Sequence, residues 1–134
     1  MTFLCDANVL SELARPAPNP GVLLWAEDIR VVSISTITID EVIFGLTLRP
    51  NARVLAWFED FVAKSCQVLD VTRAVARAAG AMRARLAGRG QVRTQADMLI
   101  AASAAAHGLT LVTRNTKDFT GCGISVLNPF RGKG

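Results

Sequence analysis

The sequence predicts an α/β domain with a mainly parallel central sheet and helices packed against it. Short apolar runs of strand type alternate with segments of helical periodicity along the chain, a pattern typical of strands joined by helical crossovers. The chain has 134 residues, a usual length for one domain, so we expect a single domain over residues 1–134. Hydrophobic residues make up 51% and charged residues 19%, which provides ample core and excludes a disordered chain.

The predicted strands are short runs of aliphatic and β-branched residues, the types that suit a buried sheet. They comprise residues 3–5, 31–35, 68–71, 109–113 and 124–127. The first run ends just before Asp6, and the third has Asp70 within it. In an open parallel sheet, ligands bind beyond the carboxyl ends of the strands. Polar residues that follow these runs are therefore the first candidates for a site.

Segments with helical character lie between the predicted strands. They comprise residues 8–15, 22–28, 38–48, 51–63, 73–86 and 94–107. Closely spaced prolines between residues 16 and 20 end the first segment, because proline cannot continue a helix. The last segment is nearly all apolar, so we expect it to be buried, with Gly108 as its C-cap.

Charge and cysteine content set limits on the class of protein. The formal net charge is +4 and the pI about 9.5, a modest positive balance that favours polyanions without proving a nucleic-acid partner. The number and spacing of Cys5, Cys66 and Cys122 fit neither a zinc site nor a disulfide framework. We therefore expect a reduced, cytoplasmic environment. No apolar segment reaches about 18 residues and no secretory signal is visible, so we expect no membrane segment.

The candidate functional site consists of acidic residues, Asp6, Glu41, Asp97 and Asp118. Asp6 directly follows the first predicted strand, and Glu41 comes just after the second, early in its helix. Asp118 lies five residues past the fourth strand. These three therefore belong to the carboxyl edge of the predicted sheet. Asp97 lies in the first turn of the buried helix, and the sequence pattern leaves its distance from that edge open.

Carboxylates brought together at one edge repel each other and cannot all remain ionised without compensation. A divalent cation is the simplest compensation, and oxygen-only ligands favour Mg²⁺ or Mn²⁺ over zinc. Such a site can activate water and clamp a phosphate for in-line attack. The acids are therefore candidate metal ligands and candidate catalytic residues.

Each acid also has a purely structural alternative. Asp6 can end its strand or cap the following helix, and Asp118 can be a turn residue. Glu41 lies roughly opposite an apolar helical stripe that includes Ile43, so it can be an ordinary solvated residue. Asp97 fits a capping box that begins with a threonine three residues earlier. The joint placement of the acids favours the site over these separate alternatives.

Polar and basic neighbours can support such a site. Asn8 and Ser11 flank the first acid, and Thr113 and Asn115 precede the last; they can orient carboxylates or serve as caps and turn residues. Arg114 can contact a substrate phosphate or be a solvated loop charge. A loose basic region can also meet phosphates, although a solvated helix face is the simpler interpretation. It consists of Arg83, Arg85, Arg89 and Arg93.

Several segments, taken in order, resemble the motifs of PIN-domain toxins. Residues 4–13 read Leu-Cys-Asp-Ala-Asn-Val-Leu-Ser-Glu-Leu, where those proteins typically read Leu-Asp-Thr-Asn-Val-Leu-Ser-Glu. Residues 33–41 resemble the second acidic motif, with Gly45 in the expected place beyond it. Residues 96–102 are similar to the third motif, and residues 109–119 are similar to the fourth.

The resemblance includes a closing segment at residues 126–130, covers nearly the whole chain, and is strongest to VapC and FitB-like toxins. Ala7 stands where threonine is common and Cys5 where an aliphatic residue is usual, but neither departure removes a carboxylate. Asp40 beside Glu41 makes the second ligand slightly ambiguous, and we choose Glu41 because the family pattern has glutamate there.

The resemblance implies a three-layer α/β/α fold and an endoribonuclease that uses Mg²⁺ or Mn²⁺. It implies a metal-binding and catalytic set with supporting residues, namely Asp6, Glu41, Asp97 and Asp118 with Asn8, Thr113 and Asn115. It also implies a homodimer and a VapB-like antitoxin that blocks the site with a C-terminal segment, in a heterotetramer or larger complex. The expected chemistry is in-line attack of a metal-activated water on an RNA phosphate, leaving a 5′-phosphate and a 3′-hydroxyl.

Alternatives from other classes remain open at the level of sequence. A phosphoacceptor receiver-like signalling domain normally has an acidic pair at its first strand, an aspartate after the third and a lysine after the fifth. Here Asp6 stands alone, Asp70 falls within the predicted third strand, and Lys133 is at the chain end. A non-catalytic PIN-like interaction module is a further alternative, and the complete set of acids argues against it. A DNA-directed nuclease also fits, because the metal chemistry does not itself select ribose.

Overall fold

The computed structural model describes residues 2–131 and confirms the predicted α/β class. Its strands are β1 (Phe3–Cys5), β2 (Val32–Ser35), β3 (Cys66–Leu69), β4 (Thr110–Val112) and β5 (Val126–Leu127). They form one sheet in the order β3-β2-β1-β4-β5, and every neighbouring pair is parallel. The carboxyl ends of all five strands therefore lie along the same edge of the sheet, and β1 is the central strand.

Helices connect the strands. They are α1 (Ala7–Leu13), α2 (Pro20–Ala26), α3 (Thr36–Leu48), α4 (Ala52–Ser65), α5 (Arg73–Ala87) and α6 (Gln95–His107). Short 3₁₀ turns follow the last two strands at Thr116–Phe119 and Pro129–Arg131. The predicted C-cap of α6 is confirmed, because Gly108 adopts a left-handed conformation with φ of 63°, which glycine reaches without steric cost.

The sheet separates two apolar layers. Successive side chains of a strand point to opposite faces, so Leu4 and Leu111 join the core under α5 and α6, whereas Cys5 and Val112 join the core under α1, α2 and α4. All four side chains are at most 1% exposed. Burying one such aliphatic side chain contributes about 1.5–3 kcal/mol. The implied three-layer α/β/α architecture is thereby confirmed.

The second helix begins earlier than predicted. We expected a helix over residues 22–28, but α2 runs from Pro20 to Ala26. The side chain of Asn19 accepts hydrogen bonds from the backbone N–H groups of Gly21 and Val22, at 2.8 and 3.2 Å. Proline is well suited to the first helical position, because that position needs no N–H donor. The proline-rich segment therefore both separates α1 from α2 and begins the second helix.

The third strand is shifted from its predicted position, and the expectation that Asp70 lies within it is wrong. α4 leads directly into β3, and Cys66 and Leu69 pair with Val32 and Ser35 of β2, so the strand ends before Asp70. Asp70 is exposed and follows an edge strand, with β2 between that strand and β1. Lys133 lies outside the described residues.

The buried face of α3 is rotated from the predicted apolar stripe. Ile43, a member of that stripe, is 40% exposed, whereas Thr38 is fully buried. The helix contacts α1 and α6, and Thr38 lies on its buried side. Glu41 is therefore half-buried, in contrast to the solvated alternative considered from the sequence.

The structure gives the state of the cysteines and the character of the helices. Cys5, Cys66 and Cys122 are all free thiols. Within residues 2–131, no helix combines the length and apolar character needed to cross a bilayer.

Candidate active site

The centre of the site lies where β1 and β4 end side by side. Asp6 follows β1, and its backbone N–H donates to the carbonyl oxygen of Val112 at 3.0 Å. Thr113 follows β4 and is fully buried. The parallel pairing of these strands thus continues one residue past β1 and brings Asp6 and Thr113 together from opposite ends of the sequence.

The carboxylate of Asp6 is held by hydrogen bonds on both oxygens. Oδ1 accepts from the backbone N–H of Ala7 at 2.9 Å, so Asp6 is also the N-cap of α1. Oδ2 accepts from Thr113 Oγ1 at 2.7 Å and from Asn8 Nδ2 at 3.3 Å. Burial raises the pKa of Asp6, these hydrogen bonds partly oppose that rise, and the charge of Asp118 adds to it. Asp6 is therefore both the N-cap of α1 and a candidate site residue.

The loop after β4 is tied to α1 through Asn8. Asn8 Oδ1 accepts from the backbone N–H of Arg114 at 3.0 Å, and Asn8 Nδ2 donates to Thr113 Oγ1 at 3.2 Å. The backbone N–H of Asn115 also donates to Thr113 Oγ1, at 3.1 Å. Asn8 and Thr113 thus contact Asp6 directly, while Asn115 acts on Thr113 through its backbone. Ser11 is exposed.

Glu41 faces the same edge from α3. Burial raises the pKa of Glu41 to about 7, and the nearby carboxylates of Asp6, Asp97 and Asp40 contribute to the increase. No hydrogen bond within the described chain stabilises its charged form. Glu41 therefore lies near enough to the other acids for their charges to act on its carboxyl, including Asp97, whose position the sequence left open.

Asp97 comes to the site from the first turn of α6. Its backbone N–H donates to Thr94 Oγ1 at 3.1 Å, so Thr94 caps the helix. Burial raises the pKa of Asp97, and the charges of Asp6 and Asp118 raise it further, while Thr94 and Arg93 lower it. The capping alternative is correct for the backbone of Asp97, and its carboxylate still belongs to the acidic cluster.

Asp118 lies on the 3₁₀ turn after β4 and is exposed. Arg93 anchors this turn, because its two terminal nitrogens donate to the carbonyl oxygens of Asp118 at 2.5 Å and Thr120 at 2.9 Å. Arg85 donates to the carbonyl oxygen of Gly121 at 3.4 Å. Two members of the predicted basic region are therefore bound to backbone carbonyls.

The four acids form a cluster of like charges. Asp6, Glu41 and Asp97 each have a raised pKa to which other members of the cluster contribute. Among residues 2–131, the ion pairs are Arg15 with Glu12 and Lys64 with Asp60, so none neutralises the cluster. This region has an excess of negative charge that a bound cation would relieve.

The donor set fits a hard divalent cation in an open site. Carboxylate oxygens are the ligands that Mg²⁺ and Mn²⁺ prefer. Within the described residues no group of three or more histidine, cysteine or acidic side chains is arranged to hold a metal ion. Mg²⁺ usually keeps several waters and takes only one or two carboxylates together with substrate phosphates. An open arrangement of acids therefore agrees with this chemistry.

Comparison with known proteins agrees with this geometry. Residues 3–120 match the family model of the PIN domain, and this segment contains all four acids. The chain belongs to the PIN-domain family. It is 33% identical over 136 residues to the VapC ribonuclease Y4jK of Sinorhizobium fredii, an alignment that covers 96% of this chain and 97% of that protein.

Solved PIN-domain structures share the fold. The crystal structure of FitAcB from Neisseria gonorrhoeae has a TM-score of 0.82 and 31% identity, and the match covers 96% of this chain and 99% of that chain. A toxin–antitoxin complex from Klebsiella pneumoniae has a TM-score of 0.75 and 26% identity, covering 96% of this chain and 98% of that one. This PIN domain therefore resembles VapC and FitB-like proteins over nearly its whole length.

Two buried polar residues were not singled out from the sequence. Glu12 is buried in α1, where its carboxylate accepts from the backbone N–H of Asn19 at 2.7 Å and pairs with Arg15 at 3.2 Å. The three-residue spacing of Glu12 and Arg15 is the signal that could have indicated the pair. Thr38 has a fully buried hydroxyl without a hydrogen-bond partner in residues 2–131, and no sequence signal indicates it.

Proposed function

We propose that this protein is a metal-dependent endoribonuclease that acts as the toxin of a VapBC-like toxin–antitoxin pair in the cytoplasm. One observation supports the proposal: carboxylates from separate segments of a PIN domain lie near enough for their charges to raise the pKa of Asp6, Glu41 and Asp97. The relationship to a VapC ribonuclease supports RNA as the substrate. We also propose that residues 1–134 act as one domain.

Asp6, Glu41, Asp97 and Asp118 would hold Mg²⁺ or Mn²⁺, supported by Asn8, Thr113 and Asn115. When bound, such an ion activates water and stabilises the charge that develops on a phosphate. The hydrogen bonds of Asp6 orient its carboxylate before substrate arrives, which limits reorganisation during the reaction.

Hydrolysis then follows an in-line route. The water oxygen forms a bond to phosphorus, the bond from phosphorus to the 3′-oxygen breaks, and a proton from the water balances the departing 3′-oxygen. The products are a 5′-phosphate end and a 3′-hydroxyl end. Analysis of the product ends tests this step, because a 2′,3′-cyclic phosphate would reject it.

The first experiment is cleavage of total cellular RNA by the purified, antitoxin-free protein with Mg²⁺, Mn²⁺ or EDTA. We expect cleavage that requires metal and that is lost in Asp97→Asn, with the fold retained by circular dichroism. Asp70→Asn is the matched control, since Asp70 also follows a parallel strand but is exposed at the sheet's edge strand. Full activity in Asp97→Asn would reject the assignment of the site.

The same preparation separates the alternatives. A folded wild-type protein that cleaves no RNA with any metal would favour a non-catalytic interaction module, and cleavage of DNA alone would favour a DNA-directed nuclease. Asp70 follows β3, as a phosphoacceptor would, but β2 separates that strand from β1 and Asp6. Acetyl phosphate should therefore not label the protein, and labelling lost in Asp70→Asn would favour the receiver-like alternative.

We further propose that the protein forms a homodimer and binds a VapB-like antitoxin in a heterotetramer or larger complex. The related toxin–antitoxin complex from Klebsiella pneumoniae supports this assembly. Exposed apolar side chains on α3, with Phe44 67% and Leu48 66% exposed, provide surface of the kind that partner proteins cover. Light scattering of the protein alone and with its antitoxin tests the proposal, and a monomer in both samples would contradict it.

A further inference from the structure

A groove lies beside the acidic site, where β4 and β5 end next to each other at the carboxyl edge of the sheet. Its volume is about 320 Å³, and it is lined by Arg114, Asn115, Thr116, Lys117, Asp118 and Arg131. The first five residues follow β4, and Arg131 belongs to the 3₁₀ turn that follows β5. The lining contains three cationic side chains and one carboxylate, so the groove is positively charged.

The cations of this groove are not neutralised by ion pairs. The guanidinium of Arg114 lies 4.7 Å from the centre of the Phe130 ring, a cation–π contact that holds this side chain beside the groove. Within residues 2–131, neither Arg114, Lys117 nor Arg131 forms an ion pair. Their charge is therefore available to a ligand.

In the predicted basic region, on α5 and the segment after it, two arginines are already hydrogen-bonded to the protein backbone. Arg93 and Arg85 donate to backbone carbonyl oxygens of the loop at residues 118–121. Their N–H donors are partly used to shape that loop. On the other side of Asp118, the guanidinium of Arg114 forms no such hydrogen bond within residues 2–131 and contacts the Phe130 ring instead.

The groove is continuous with the acidic site. Asp118 lines the groove, and its charge raises the pKa of Asp6 and of Asp97. The backbone N–H of Arg114 donates to Asn8, which in turn donates to Asp6. A polyanion that reaches the acids therefore has the groove as its immediate neighbour.

We propose that this groove binds a backbone phosphate of the RNA substrate next to the phosphate that is cleaved, through Arg114, Lys117 and Arg131. The proposal rests on the proposed ribonuclease function and adds a subsite for its substrate. Guanidinium groups suit bidentate contact with phosphate oxygens, and the lysine adds a point charge. Such contacts position the nucleic acid without reading its sequence.

The test measures binding of a short fluorescein-labelled single-stranded RNA of mixed sequence by fluorescence anisotropy, in EDTA, over a series of salt concentrations. The variants are Arg114→Gln, Lys117→Gln, Arg131→Gln and the triple variant. Arg30→Gln is the matched control, since Arg30 is exposed and precedes β2, at the opposite edge of the sheet. Thermal unfolding checks that each variant is folded.

The triple variant should reduce the slope of log K against log salt by about 0.7, the value for one phosphate contact to a single strand, and each single substitution should reduce it by part of that amount. The triple variant should also bind about fourfold more weakly near physiological salt. Arg114→Lys should keep most of the slope. In cleavage assays the groove variants should raise KM and leave kcat within roughly twofold of wild type.

The outcomes separate this subsite from the proposed function. If the wild type cleaves RNA but the triple variant keeps the wild-type slope, or if Arg30→Gln loses as much affinity, the subsite is wrong and the ribonuclease stands. A fall in kcat at unchanged KM would also overturn the subsite. If the folded wild type neither binds nor cleaves RNA, the proposed function itself fails.

Discussion

Asp6 and Glu41 carry the same chemical group at the same edge of the sheet, but they differ in burial and in hydrogen bonding. Asp6 is 6% exposed and accepts hydrogen bonds from Ala7, Asn8 and Thr113. Glu41 is half-buried and accepts none within the described chain, and its pKa rises to about 7 because burial and neighbouring carboxylates act without opposition.

The difference shows that hydrogen bonds stabilise the carboxylate on one side of the site, whereas the carboxylate on the other side has no such bonds. On the side of the sheet, hydrogen bonds stabilise the charged form of Asp6 and set its orientation in advance. On the side of α3, repulsion remains unrelieved, so Glu41 has most to gain from a bound cation. The following predictions, in order of decreasing effect, test this division.

The largest effect is expected for Asp6→Asn. Asparagine keeps the shape of Asp6 but removes its charge and replaces one acceptor oxygen with an N–H donor, so kcat/KM for RNA should fall by at least about 1000-fold. The variant should still unfold cooperatively in EDTA, because removing a buried charge offsets part of the free energy that the lost hydrogen bonds contribute. Activity within about tenfold of wild type would remove Asp6 from the catalytic set.

A smaller loss is expected for Thr113→Val, which removes the 2.7 Å hydrogen bond to Asp6 and keeps the volume of the side chain. The oriented carboxylate then loses its shortest hydrogen bond, and activity or metal affinity should fall about 10–100-fold. Isothermal titration with Mn²⁺ and RNA cleavage measure the two quantities. Thr113→Ser is the control, and an equal loss in Thr113→Ser would show that the hydroxyl is not the cause.

Glu41→Gln should stabilise the metal-free protein at high pH. Folding raises the pKa of Glu41 from 4.5 to about 7, so the native state binds the extra proton and wild-type stability falls as pH rises between these values. Glu41→Gln removes this pH-dependent loss of stability, because glutamine does not titrate. Because solvent screens a half-buried carboxylate, we expect a gain of about 1–2 kcal/mol at pH 8 and none at pH 4.

Urea unfolding in EDTA at several pH values measures this gain in the free energy of unfolding. Glu59→Gln is the control, since Glu59 is exposed on α4, and its effect should not vary in this way with pH. Mg²⁺ or Mn²⁺ should raise the Tm of the wild type more than that of Glu41→Gln. A pH-independent effect of Glu41→Gln would contradict the comparison with Asp6.

The smallest effect is expected for Arg93→Gln. The substitution removes two hydrogen bonds to the carbonyl oxygens of Asp118 and Thr120, and a free energy of unfolding lower by about 0.5–1 kcal/mol should result. Arg93 also lowers the pKa of Asp97, so the pH profile of cleavage should shift upward. Arg77→Gln, an exposed change on α5, should do neither, and a similar result for both variants would refute a specific role.

Prediction from sequence succeeded where a feature depends on a few neighbouring residues. The strand before Asp6 and the cap at Gly108 both follow from local patterns. The site interpretation and the capping interpretation of Asp97 were alternatives at that level. The structure shows that Thr94 caps the backbone N–H of Asp97 and that the charges of Asp6 and Asp118 act on its carboxyl, while its catalytic role stays a prediction. A capped backbone N–H leaves the carboxylate of the same residue available, so the two interpretations do not exclude each other.

The sequence by itself determined the α/β class and the order of the elements, because propensity and periodicity act over short distances. The set of four candidate acids came from the resemblance to PIN-domain toxins. Only the tertiary structure decided that β3 ends before Asp70, that Glu41 is half-buried with a pKa of about 7, and that Arg93 is bound while Arg114 is free of ion pairs among residues 2–131. Each of these depends on partners far away in the chain, whose positions are set by strand register and helix contacts that no local pattern contains.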